Sequence, residues 1–175
     1  MKLFDVEELP THGGSLRIYA AHTEDSSKQV QSRAKELKSR EQEAGYGRLE
    51  HYLTFSSKVE EVKQMLLSFL ISAKQEGKRV VGYGAPAKGN TLLNYCGVRT
   101  DFVNYTVDRS PHKQGHFLPG VRIPVYAPDE IRRTRPDYVL ILPWNLREEV
   151  MQQMSHIREW GGKFVVPIPE VKVYS

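Results

Sequence analysis

The feature that most constrains this chain is an alternation of short apolar runs with helical segments that begins near residue 79 and continues almost to the end. Strand patterns at Arg79 to Tyr83, Phe102 to Val107, Tyr138 to Leu142 and Lys163 to Val166 are separated by helical patterns at Lys88 to Tyr95, Asp129 to Thr134 and Arg147 to Trp160. Strands spaced this way need crossover connections, so the pattern predicts a parallel sheet with helices packed on it. The runs YVLIL and KFVV lack polar alternation, as strands covered on both faces do. The fold class expected is α/β: a Rossmann-like parallel sheet flanked by helices.

The first half reads differently. Lys2 to Glu7 and Ser15 to Ala21 are strand patterns joined by turn residues, Pro10, Thr11, His12, Gly13 and Gly14, and so predict a β-hairpin. Ser26 to about Ala44 is polar, rich in helix formers and without an apolar stripe, as in a connecting helix that bridges solvent. From Phe55 a serine-capped amphipathic helix is expected, with Val59, Val62, Leu66, Phe69, Leu70 and Ala73 at helical spacing and Gly77 at its end. The boundaries expected are a hairpin over 1–22, a helical linker over 23–54 and a Rossmann-like domain over 55–175.

Composition narrows the classes further. The chain has 175 residues, 39% hydrophobic and 26% charged, which suits a folded domain with a sizeable core. No apolar run is long enough for a membrane helix and the N-terminus is not a secretory signal, so a cytoplasmic protein without a membrane partner is expected. The net charge is only +4 and the basic residues are interspersed with acids, so no nucleic-acid partner is expected; Arg132, Arg133 and Arg135 read as a solvated face. Cys96 lies in the apolar stretch TLLNYCGV and reads as packing rather than as a nucleophile. The six histidines form no metal-ligand spacing, and no catalytic apparatus is visible.

The stretch with most chemistry is Val80 to Asn90, VVGYGAPAKGN, a strand entering a glycine-rich turn and then a helix. Such a turn lets backbone N–H groups meet a phosphate at the positive end of a helix, where Lys88 adds a point charge. It departs from GxGxxG: Gly82 and Gly84 match, Ala87 holds the third place, and Gly89 follows two residues later. The glycines equally suit a sharp turn with close packing. Asp108 ends the next strand, where a carboxylate meets ribose hydroxyls in nucleotide-binding folds or caps a helix; Arg109, Lys113 and His116 follow in a loop. Trp144, at the end of YVLIL, suits either packing or stacking on a nucleoside, and Asn145 suits a helix cap.

The segments FDVEELPTHGGSLRIYAAH, VVGYGAPAKGNTLLNYCGV, YTVDRSPHKQGHFLPGVRIPVYAPDEI and DYVLILPWNLREEVM together resemble the C-terminal part of S-adenosylmethionine-dependent sugar C-methyltransferases, which act on nucleotide-linked deoxysugars. The resemblance covers nearly the whole chain. It implies a protein with a zinc-binding domain, a methyltransferase domain holding S-adenosylmethionine, and a Rossmann-like domain that helps hold the nucleotide-sugar, of which only the last is complete in these residues. Lys2 to His22 would be the final hairpin of the methyltransferase domain, and neither zinc nor S-adenosylmethionine is expected on this chain itself. A methyl-donor loop in that family carries an acid just before its glycines, which Val80 and Val81 do not supply. The resemblance therefore assigns the loop to the substrate's nucleotide, thymidine diphosphate being expected, through Gly82, Gly84, Ala85, Lys88 and Asn90, with Asp108, Lys113 and Trp144 nearby.

On this reading the chain binds and does not catalyse. Two other readings stand beside it: an NAD(P)-binding oxidoreductase domain, suggested by the glycine turn and Asp108, and a non-catalytic interaction module. The hairpin's apolar residues Leu3, Phe4, Val6, Leu16, Ile18 and Tyr19 would lack their sheet, so self-association through the hairpin, or disorder before residue ~23, is expected.

Overall fold

A computed structural model describes residues 1–175, which divide into two compact units, Met1–Ser57 and Lys58–Ser175. In the first, β1 (Lys2–Leu9) and β2 (Ser15–Ala21) pair as an antiparallel hairpin. Its turn is a short 3-10 segment, Thr11–Gly13, in which His12 takes a left-handed conformation at φ 56°. Helix α1 (Ser32–Glu43) starts later than the polarity of its segment suggests and buries no residue. It is held along β1 by the Gln31 N–H donating to the Phe4 carbonyl at 2.8 Å and by ion pairs of Arg33 with Asp5 and of Arg40 with Glu8. Leu16 and Ile18 of the hairpin remain exposed. A short helix α2 (Leu49–Leu53), which the sequence did not signal, follows.

Helix α3 (Phe55–Gln75) begins at the phenylalanine, so Ser56 and Ser57 lie inside it rather than capping it; Ser56 donates to the carbonyl of Leu53 instead. The second unit is built on a sheet of order β5-β4-β3-β6-β7-β8. Its strands are β3 (Val80–Tyr83), β4 (Val103–Val107), β5 (Val125–Tyr126), β6 (Tyr138–Ile141), β7 (Lys163–Val166) and β8 (Lys172–Tyr174). All pairings are parallel except β7 with β8. The fold is therefore the Rossmann-like α/β class that the alternation predicts, with six strands instead of four. The additions are too short to show a period: β5 has two residues and β8 three.

Two apolar layers enclose the sheet. On one side α3 and α4 (Ala87–Cys96) supply Leu66, Leu70, Leu92, Leu93 and Cys96 to a cluster with Val80, Leu140 and Leu142. On the other, α5 (Asp129–Thr134) and α6 (Arg147–Gln153) supply Ile131, Val150 and Met151 to a cluster with Val81, Tyr83 and Ile141. Every residue of β3 is buried, as its unbroken apolar run requires. The helix expected over Arg147 to Trp160 is broken: Met154 leaves helical geometry at φ −104°, ψ 19°, and Ser155–Trp160 continues as 3-10 turns. Cys96 is buried in the first layer, where burial pushes its thiol up from its ordinary value, so its role is packing. No helix is long and apolar enough to cross a membrane.

The strand order reverses between β3 and β6. The chain leaves β3 toward β4 on one side, while β6 adds on the other. At such a switch point the connections after the two strands part, and a crevice opens at their carboxyl ends.

Gly89 marks how tightly α4 is seated there. A Cβ on it would come within 2.7 Å of the Leu142 Cβ. Gly89→Ala should therefore lower stability in urea unfolding by about 1–3 kcal/mol, against the gain that helix propensity alone would give.

Candidate functional site

The loop after β3 and the segment after β6 meet at the crevice. In the first, Gly84 has φ 88°, a conformation open to glycine, and a Cβ there would lie 2.6 Å from the Pro143 ring. Gly82 is buried within β3, where a Cβ would collide with the Thr106 side chain at 2.6 Å. Thr106, itself wholly buried, uses that space to donate to the Gly84 carbonyl at 2.8 Å. Gly82 thus shapes the loop from beneath rather than facing a ligand. Of the two readings of these glycines, close packing explains Gly82, Gly84 and Gly89. Gly89 supplies the helix-to-strand approach that the missing third glycine supplies in GxGxxG.

Helix α4 begins directly after Pro86 with no side-chain cap. Its first hydrogen bond inside the helix runs from the Asn90 N–H to the Pro86 carbonyl at 3.0 Å. The N–H groups of Ala87, Lys88 and Gly89 precede that bond, so they have no partner within the helix. They carry the positive end of the helix dipole. The Asn90 side chain accepts from Asn94, whose amide also donates to the Pro119 carbonyl, so Asn90 braces the loop following β4.

Lys88 is the group that spans the crevice. Its ammonium donates to Asn145 Oδ1 and lies 4.7 Å from the centre of the Trp144 ring. Partial burial pulls its pKa below the ordinary lysine value. Trp144 is half-buried and touches both apolar layers, which fixes the ring on which the cation rests. Asn145 does not cap a helix, as its position suggests, but holds Lys88.

Asp108 caps no helix; its carboxylate bonds within the chain. Oδ2 accepts the Ala85 N–H at 2.7 Å and the Lys113 ammonium at 3.2 Å, while Oδ1 accepts the Ser110 N–H at 2.8 Å. Lys113 also donates to the Ala85 carbonyl at 3.1 Å. Both carboxylate oxygens thus help tie the glycine loop to the end of β4. The Ala85 N–H is engaged as well, which leaves the α4 amides and Lys88 as the groups presented to an anion. Burial raises the Asp108 pKa, but the Ser110 and Ala85 amides and Lys113 outweigh it and hold the carboxyl below its ordinary value.

The structure therefore brings Gly84, Ala85, Lys88, Asp108, Lys113 and Trp144 to one sheet edge, with Gly82 beneath and Asn90 behind. Sequence reasoning missed Thr106, which acts from a strand interior and has no local signature, and gave Asn145 the role of a cap because its partner lies on another loop. No group of three or more His, Cys, Asp or Glu side chains lies together as a zinc site needs.

A mostly parallel sheet of this order, enclosed by helices and carrying a glycine turn at its switch point, defines a Rossmann-like α/β domain. The family model for the C-methyltransferase C-terminal domain matches residues 10–169. The chain belongs to that family. C-methyltransferase NovU from Streptomyces niveus is 34% identical to it over 175 residues, all of this chain but 41% of that protein. The chain thus spans about two fifths of the relative's length. Among solved structures, UDP-D-quinovosamine 4-dehydrogenase from Vibrio fischeri aligns at a TM-score of 0.41 and 18% identity, over 56% of this chain and 93% of that one.

The sign of the Asp108 shift sets a pH dependence. A carboxyl held below its unfolded value stabilises the fold above that value, and the contribution is lost as pH falls through the folded pKa. Wild type should therefore lose more stability than Asp108→Asn as pH falls below the ordinary carboxylate range, while near neutral pH Asp108→Asn should be less stable by about 1–3 kcal/mol. Urea midpoints at the two pH values for both proteins measure this.

Proposed function

We propose that this chain is the substrate-holding C-terminal domain of an S-adenosylmethionine-dependent sugar C-methyltransferase, and that it binds the diphosphate of a nucleotide-linked sugar at the crevice between β3 and β6. The observation that carries the reading is the convergence of the α4 amides and the Lys88 ammonium at the switch point of the sheet. A diphosphate is a stronger partner for Lys88 than the Asn145 amide, because its charge strengthens the hydrogen bond. Trp144 then stands beside the bound nucleotide, with one face released as Lys88 turns to the phosphates.

The methyl donor and zinc belong on this reading to the rest of the protein, and this chain binds without catalysing. The oxidoreductase reading is weaker, because the carboxylate it needs for a ribose is engaged with Ala85, Ser110 and Lys113. Calorimetric titration with thymidine diphosphate, NADH and S-adenosylmethionine separates the readings. Thymidine diphosphate should bind in preference to the other two, and Lys88→Ala should weaken it about tenfold or more. Preference for NADH, or an unchanged affinity in Lys88→Ala, would reject the assignment.

The hairpin also retains an apolar surface at Leu3, Leu16 and Ile18, exposed by 44%, 49% and 61%. Self-association through it is part of the same proposal. Light scattering should show a concentration-dependent dimer that Ile18→Lys abolishes; a monomer throughout would count against it.

A further inference from the structure

One contact in the crevice occupies two groups at once. The Lys88 ammonium donates to Asn145 Oδ1 and lies 4.7 Å from the centre of the Trp144 ring. Lys88 stands in the first turn of α4 and Asn145 on the segment after β6, so the contact ties the two walls of the crevice together. It also covers one face of Trp144 with a cation. The ring is held in place beneath it by both apolar layers.

The two lysines of the crevice are held differently. Lys113 pairs with the Asp108 carboxylate at 3.2 Å, whereas Lys88 has a neutral amide and an aromatic face as its partners. Asn145 is exposed, and its amide makes no second hydrogen bond within the chain. A neutral acceptor on an exposed side chain is a weak tie, worth about two- to tenfold in an equilibrium constant. A charged phosphate oxygen makes a stronger hydrogen bond and can replace it. An uncharged group that needs the Trp144 face has nothing to offer Lys88 in exchange. It must break both the hydrogen bond and the cation–ring contact and form nothing in their place.

We propose that Asn145 is a specificity-determining residue that competes with the ligand for Lys88: the tie keeps Trp144 covered, and a ligand gains the ring by drawing the ammonium onto its phosphate. The inference rests on the reading that the crevice binds the diphosphate of a nucleotide. It gives Asn145 no contact with that diphosphate. Removing the Asn145 amide should therefore strengthen binding, where the loss of a ligand contact would weaken it.

Asn145→Ala and Lys88→Ala test this on the full chain, by calorimetric titration with thymidine diphosphate and with thymidine. Asn145 is exposed, so Asn145→Ala should fold, and it should bind thymidine diphosphate about two- to tenfold more tightly than wild type. Lys88→Ala uncovers Trp144, so it should bind thymidine more tightly than wild type while binding thymidine diphosphate more weakly. Equal or weaker binding of thymidine diphosphate by Asn145→Ala, beside binding by wild type, would overturn the competition and leave the crevice reading standing. A Lys88→Ala variant with no gain for thymidine would do the same. No binding of thymidine diphosphate by wild type or either variant would reject the crevice reading and the competition with it.

Discussion

Between residues 82 and 89 the backbone passes so close to its neighbours that no side chain fits at several points, and the rest of the second unit is arranged around that exclusion. Thr106 presses on Gly82, Pro143 on Gly84 and Leu142 on Gly89. These contacts join β3 to β4 on one side and to the end of β6 on the other. Because the approach is steric, it leaves little freedom in where α4 starts. The positive end of that helix is therefore delivered to the sheet edge by packing forces alone, before any ligand is considered.

The polar groups of the crevice work on top of this frame. Asp108 spends both oxygens within the protein, and Thr106 spends its hydroxyl on the Gly84 carbonyl. Such groups are easily mistaken for ligand contacts, since they are charged or polar and lie where ligands bind in this fold class. Here they immobilise the loop, and preorganisation of this kind reduces the ordering that a ligand would otherwise have to impose. Lys88 alone among the charged groups of the loop leans on partners that a ligand can replace.

The parallel sheet was legible because β3, β6 and β7 are buried on both faces and so appear as unbroken apolar runs. The glycine turn was legible for a related reason, since a positive φ at Gly84 and tight packing at Gly89 restrict what residues can stand there. What escaped was set by tertiary context. Strand β5 exists because Val125 and Tyr126 find β4 beside them, and two residues leave no pattern. Asn145 suits a cap in isolation and becomes a partner of Lys88 only once β3 and β6 are neighbours. Asp108 was recognised as important by position, yet its role depends on an amide more than twenty residues earlier in the chain.

The first unit is held by a different kind of force, and that difference has a physical consequence. Helix α1 has no fully buried residue and meets β1 through arginine–carboxylate pairs in which Arg33, Arg40 and Glu8 are open to water while Asp5 is largely covered. Exposed pairs of this sort contribute little individually and are screened within about 10 Å at 0.1 M salt. The attachment of α1 to the hairpin thus has a part that loosens as counterions accumulate, beside the Gln31–Phe4 backbone bond, while the steric lock around the glycine turn is indifferent to them. One polypeptide combines an electrostatically tuned element with a sterically fixed one.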